Sequence, residues 1–208
     1  MAGITARLRR GLLPAHAGVE AASAGLRRAA VLVAIVAGEA PPGERNRQPV
    51  IGGEAGAEEA PERGCSVLLT LRAARLSAHA GQVALPGGSI EAGETPEAAA
   101  LREAAEEIGL DPRLPEVIGR LPGRATGTGF HITPVVAILH PPFTLTPDPG
   151  EVAEIFRYPV STLLDPAQPV RRDDLWAGKS FWVWPHERHL VWGATAEILR
   201  QLSLVLRG

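Results

Sequence analysis

Apolar runs and polar, glycine-rich connections alternate along the 208 residues, and the period of each run gives its structure. The run AAVLVAIV after Arg28 is too short to cross a bilayer and is rich in Val and Ile, so it reads as a buried strand rather than a secretory signal. SVLLTL, from Ser66 to Leu71, reads as a second strand that can pair antiparallel with residues 30 to 37. Glu116 to Leu121, ITPVVAILH from Ile132 and EIFRYPV from Glu154 read as further strands. Phe181 to Trp184 and Leu190 to Trp192 read as two more, around a turn at His186 and Glu187.

Helical periods appear at both ends and in the middle. ITARLRRGLL before Pro14 reads as a short helix, and a second covers Val19 to Arg28. The last stretch places Ile198, Leu199, Leu202, Val205 and Leu206 on one helical face, which should close the core. Pro41 to Gly64 carries Pro, Gly and charge with hardly any large apolar residue, and reads as a long connection. Asp165 to Asp174 reads as a polar connection. Together these elements predict an α/β protein with a mixed central sheet, preceded by a helical extension over residues 1 to 27.

A hydrophobic share of 45% supports a proper core, and a net charge of -2 offers no broad cationic surface for a nucleic-acid backbone. Cys65 is the single cysteine, which excludes an internal disulfide and a multi-cysteine zinc site.

The candidate chemistry lies in GGSIEAGETPEAAALREAAEEIGL, residues 87 to 110. Thr95 suits a helix N-cap, Pro96 the first helical position and Gly109 a left-handed C-cap, with alanines and Leu101 between them. At about 100° per residue, Glu103 and Glu107 share one face, Glu106 is within reach of Glu103, and Arg102 shares the adjacent flank with Glu106. Carboxylates so close together, near the negative end of the helix dipole, cost stability unless a cation compensates them. Oxygen ligands suit Mg²⁺, which keeps waters and takes further ligands from a substrate phosphate. The flexible Gly87, Gly88 and Gly93 would let the loop fold back and bring a backbone carbonyl to the metal. The plain alternative is a solvated acidic helix face.

From Gly88 there are five residues to Glu94, seven more to Arg102, then Glu103, the pair Glu106 and Glu107, and Gly109. This segment resembles the Nudix box, with every fixed position filled. The resemblance implies a Nudix-type α/β/α sandwich over residues 28 to 208. It also implies hydrolysis of a nucleoside diphosphate linked to another moiety, with Mg²⁺ or Mn²⁺ as cofactor. On that basis Glu103 and Glu107 are the leading metal ligands, with the Gly87 carbonyl, and Glu106 is a further ligand or a group that supports them. Glu94 and Arg102 form a brace for the loop, and Arg102 and Glu103 belong to the catalytic set. A glutamate outside the box serves several Nudix enzymes as base or ligand; Glu154 is the candidate here and Glu151 the reserve, the other reading being an exposed acid at a strand start.

Directly upstream, LLTLRAARLSAHAGQVALPGG resembles the additional motif of the coenzyme A pyrophosphatases within that superfamily. The chain end HLVWGATAEIL is similar to the end of the same family. Arg72, His79 and Gln82 then offer donors to phosphate or adenine groups, the alternative being that His79 and Gln82 only hold the loop. Arg124 lines a substrate entrance or sits in a surface turn, and Trp176, Trp182, Trp184 and Trp192 are core residues or include an adenine stack. The expected substrate is coenzyme A or a thioester of it, cut to 3',5'-ADP and phosphopantetheine. ADP-ribose, NADH or another dinucleotide is the nearest alternative, and a nucleotide-binding regulator without catalysis is the alternative of another class. The expected setting is cytoplasmic, with a small nucleotide partner, no nucleic acid, no membrane, and a homodimer as an allowed assembly.

Overall fold

The computed structural model describes residues 2–14, 25–38, 64–75, 79–176 and 179–208. In chain order the elements are α1 (Ala2–Gly11), β1 (Arg27–Val36), β2 (Ser66–Arg72), β3 (Val83–Ala84), β4 (Gly87–Ser89) and α2 (Pro96–Ile108). Next come β5 (Glu116–Arg120), β6 (Arg124–Ala125), β7 (Phe130–Leu139), β8 (Val152–Pro159), α3 (Val160–Leu164), β9 (Val170–Trp176), β10 (Lys179–Val183) and α4 (Gly193–Arg207).

The uninterrupted apolar run of β1 makes it the centre of a mixed sheet, because a strand with both side-chain faces apolar needs cover on both. It runs parallel to β7 from Arg27↔Phe130 to Val36↔Leu139 and antiparallel to β2 at Ile35↔Val67 and to β4 at Val31↔Gly87. β8 pairs with the full length of β2, from Ser66↔Pro159 to Arg72↔Val152, with a register shift between Leu71 and Arg72. Successive β1 side chains feed two cores. Leu32, Ala34 and Val36 pack with Ala99, Ala100, Ala104 and Ile108 of α2. Val33 and Ile35 pack with Ile198, Leu199, Leu202 and Leu206 of α4. The result is helix, sheet, helix, as the strand and helix pattern implies.

Three expectations change. The helix expected over Val19 to Arg28 gives way at its end to strand, since Arg27 and Arg28 already pair with β7; residues 19–24 lie outside the described residues, as does nearly all of the 41–64 connection. The connection expected over Asp165 to Asp174 contains a strand, β9, which forms a separate two-stranded sheet with β10. Arg171, Arg172, Asp173 and Asp174 are exposed there, so no hydrophobic period marks the strand, and Arg171 stacks instead over the Trp182 ring at 5.6 Å. The hairpin expected between Phe181–Trp184 and Leu190–Trp192 reduces to one bridge, Trp184↔Val191.

The N-terminal helix is present as α1, with its apolar face inside the core. Ile4 and Leu8 are fully buried, and Leu13 bridges to Arg120 of β5. A Cβ on Gly11 would stand 2.6 Å from Val205 of α4, so the two helices meet at close quarters. Among the described residues no helix is long and apolar enough to cross a membrane.

Candidate active site

Helix α2 is fixed at both ends by the signals in its sequence. Thr95 is extended, and its Oγ1 accepts the Ala98 N–H at 3.2 Å; Gly109 has φ 64° and donates to the Ala105 carbonyl at 3.0 Å. Glu97 in the first turn pairs with the buried Arg120 guanidinium of β5. Caps and ion pair together set the rotation of the helix, and so the direction of its acids.

The preceding loop reaches the helix through glycine. Gly87 has φ 153°, and a Cβ there would lie 2.3 Å from the Ala30 carbonyl oxygen and 2.6 Å from the Val31 Cα. Only glycine lets β4 lie this close to β1 in that conformation. At Gly88 a Cβ would lie 2.5 Å from the Glu103 carboxylate, so that carboxylate occupies the room a side chain would take.

Arg102 braces the loop. It donates from Nε and Nη2 to the two oxygens of Glu94 at 3.0 Å each, from Nη1 to Glu103 at 3.0 Å and to Glu106 at 3.2 Å, and from Nη2 to the Ser89 carbonyl at 3.0 Å. The guanidinium holds the Glu94 carboxyl below the usual carboxylate range. The ion pair expected between these two residues is therefore present.

Glu107 is the buried acid, 4% exposed. Its Oε2 accepts the Gly87 N–H at 3.1 Å, and Arg72 Nη1 stands 3.7 Å from its Oε1. Burial pushes this carboxyl up to about 7 despite those two favourable partners, with the charges of Glu151 and Glu103 adding to the effect. Burial also raises Glu103, opposed by Arg102 and reinforced by Glu106 and Glu151. Two desolvated carboxylates beside a glycine loop form a hard-oxygen donor set short of positive charge. No group of three or more His, Cys, Asp or Glu side chains converges as a metal site among the described residues. A cation that takes one or two carboxylates and fills its shell with water and phosphate fits Glu103 and Glu107.

Glu106 stands beside Glu103, sharing the Arg102 Nη1 with it. Its side chain is 61% exposed and pairs with Arg102, one step of about 100° from Glu107 and three residues from Glu103. Arg72 is placed at Glu107, and its Nε is buried without a hydrogen-bond partner. His79 Nδ1 and Gln82 Oε1 are 2.9 Å apart on an exposed loop that Gly81 N–H to Arg72 O and Arg72 N–H to Gln82 O tie back to β2. Arg124 is turned toward α4, where it pairs with Glu197 at 3.3 Å, on the other side of the sheet from the acids of α2. Trp184 is core, its Nε1 donating to the Ala196 carbonyl; Trp192 packs edge-on to Phe181, and the Arg200 guanidinium covers Trp182.

The two glutamates outside the box lie apart, Glu154 on the α4 face and Glu151 on the turn before β8. Glu154 sits opposite Leu71 on the face that carries Phe156 and Tyr158 to the α4 core, and there it pairs with Arg188 and lies 3.2 Å from His189 Nε2. It does not join the acids of α2. Glu151, on the turn just before β8, is the residue whose charge acts on both Glu103 and Glu107. The period of two in Glu154, Phe156 and Tyr158 is the sequence signal that could have made this distinction. Arg188, which gathers Glu154, had no such signal.

Residues 56–176 match the family described as NUDIX domain. The chain is 45% identical over 144 residues to a Citrobacter koseri protein named "Uncharacterized Nudix hydrolase NudL", the match covering 66% of this chain and 73% of that protein. A protein of the same name from Salmonella paratyphi B is 43% identical over 141 residues, again covering 66% and 73%. Among solved structures, a MutT/nudix family protein from Enterococcus faecalis superposes with a TM-score of 0.51 at 15% identity, covering 88% of this chain and 63% of that one, which is a likeness of fold.

Proposed function

We propose, from the premise that this chain belongs to the Nudix family and is a hydrolase of pyrophosphate bonds, that its substrate is coenzyme A or a thioester of it. Water adds across the P–O–P bridge to give 3',5'-ADP and phosphopantetheine or its acyl form. The observation that carries the chemistry is the convergence of Glu103, Glu107, the Gly87–Gly88 loop and Arg72.

Nudix hydrolases in general use divalent cations such as Mg²⁺. Here Glu103, Glu107 and the Gly87 carbonyl would hold Mg²⁺ or Mn²⁺, which when bound neutralises charge on the pyrophosphate and makes a water more acidic. Arg72, whose Nη1 stands 3.7 Å from Glu107, donates to a phosphate oxygen. Glu151 takes the proton from the attacking water, in place of Glu154. Arg102 keeps Glu94 and the Ser89 carbonyl in register and so holds the loop against Glu103.

The coenzyme A assignment is supported by the segment from Leu68 to Gly88. Arg72 at the end of β2 stands at Glu107, and the His79–Gln82 loop is tied back to Arg72 by backbone hydrogen bonds, so the described part of that segment is connected to the acid site. Purified protein with Mg²⁺ and, in parallel, coenzyme A, acetyl-coenzyme A, ADP-ribose and NADH should give 3',5'-ADP and a phosphopantetheine by mass at the highest rate. AMP from ADP-ribose or NADH with both coenzyme A forms untouched would retain the pyrophosphatase and replace the substrate.

A further inference from the structure

The turn that carries Glu151 is fastened to the residue that carries the buried carboxylate. Thr146 N–H donates to the Ile108 carbonyl and Asp148 N–H to the Glu107 carbonyl, both at 2.8 Å, so the loop after β7 satisfies carbonyls that the last turn of α2 leaves free. From that anchor Asp148 organises the turn into β8. Its Oδ1 accepts the Gly150 N–H at 2.7 Å, and its carbonyl accepts the N–H groups of Glu151 at 3.0 Å and Val152 at 2.8 Å. On the far side the Glu151 carbonyl accepts the Ala73 N–H at 2.8 Å, next to Arg72. One hydrogen-bonded path thus runs from Glu107 through Asp148 to Glu151 and on to the end of β2.

We infer that Asp148 is a positioning residue, whose carboxylate fixes the turn so that the Glu151 side chain stays at a set place relative to Glu107. This rests on the reading of Glu151 as proton acceptor. Pro149 has no N–H to contribute, so the Asp148 carboxylate on the Gly150 N–H, with Arg75 Nε on the Gly150 carbonyl at 3.4 Å, holds the Pro149-Gly150 segment against rotation. Glycine at 150 makes that restraint matter, since it would otherwise admit many backbone states. A Cβ there would stand 3.0 Å from Asp148 Oδ1, which shows how closely the carboxylate covers the turn. Asp148 is exposed, so replacing it opens no cavity. A displacement of about 1 Å at a reacting group lowers rate by up to about 100-fold.

The test uses full-length protein with Mg²⁺ and whichever of coenzyme A, ADP-ribose and NADH is hydrolysed fastest, with melting curves to establish that each variant is folded. Asp148→Ala should lower kcat about 10- to 100-fold with KM within about threefold. Asp148→Asn, whose amide oxygen still accepts the Gly150 N–H, should restore most of it. In a Glu151→Gln background Asp148→Ala should add little, because a residue acting through Glu151 has nothing left to position. Wild-type kcat in Asp148→Ala, no rescue by Asn, or an undiminished further loss in the Glu151→Gln background would each overturn the inference. Wild-type activity in Glu151→Gln alone would overturn the reading of Glu151 beneath it.

Discussion

The Cβ that Gly88 lacks would lie 2.5 Å from the carboxylate of Glu103, closer than any side chain tolerates. The glycine of the loop and the acid of the helix therefore share one space. Gly88→Ala should push the flexible end of Glu103 aside at small cost in stability, within about 1 kcal/mol, and lower activity and divalent-cation affinity about 10- to 100-fold. Gly87→Ala differs in kind. Its Cβ would meet the backbone of Ala30 and Val31 at a φ of 153°, so the loss should appear first in the melting temperature. Paired melting curves and Mg²⁺ titrations of the two variants separate these effects.

The buried Glu107 makes stability depend on pH in a direction opposite to that of a salt-bridged acid. Its carboxyl stands at about 7 in the folded protein against 4.5 in the unfolded chain, so the folded state binds the extra proton between those values. Stability from this group is full below about pH 4.5 and is lost as pH rises through about 7, by up to about 3 kcal/mol. Without divalent cation the melting temperature should fall from pH 5 to pH 8. Mg²⁺ should raise it more at pH 8 than at pH 5, because the cation binds the ionised form. Glu107→Gln should flatten both trends, stay folded, and lose activity on the order of 100-fold or more.

Much of the site was legible because it is local. The caps Thr95 and Gly109, the Glu94–Arg102 brace and the shared face of Glu103 and Glu107 follow from spacings within one loop and one helix. The features that were not legible depend on strands that meet across the chain. Glu151 and Glu154 look alike in sequence until β8 is paired with β2, after which Glu154 faces the α4 core. Arg124 was separated from the box in the same way, by the register of β6 on β7 that turns it toward Glu197. β9 carries charge where a buried strand would carry a hydrophobic period, because its sheet of two strands is open to solvent.

Leu8 is fully buried between α1 and the rest of the core although it belongs to a stretch that reads as an extension. Leu8→Ala should lower unfolding free energy by about 2–5 kcal/mol, the range for a leucine truncated in a packed core. A chemical denaturation curve with unchanged slope would measure it. A loss under about 0.5 kcal/mol, the level of a surface substitution, would mean that α1 is held loosely, and its removal should then be harmless too.

Glu154 and Glu151 give the sharpest separation of the two sides of the sheet. Glu154 is held by Arg188 and His189, and His189 in turn stacks on His186 at 4.9 Å and leans on Phe156 at 5.2 Å. Removing its charge should loosen the 186–189 segment and lower stability by about 1–3 kcal/mol, because Arg188 loses its ion pair and His189, only 12% exposed, is left with an uncharged acceptor. It should leave kcat within about threefold of the starting protein, since the carboxylate does not reach the acids of α2. Glu151→Gln should do the reverse, with kcat down about 100-fold or more and the melting temperature little changed, as its side chain is exposed. Kinetics and melting curves on both variants decide the matter: a collapse of kcat in Glu154→Gln, with Glu151→Gln active, would return the proton-accepting role to Glu154 and place substrate on the α4 side of β8.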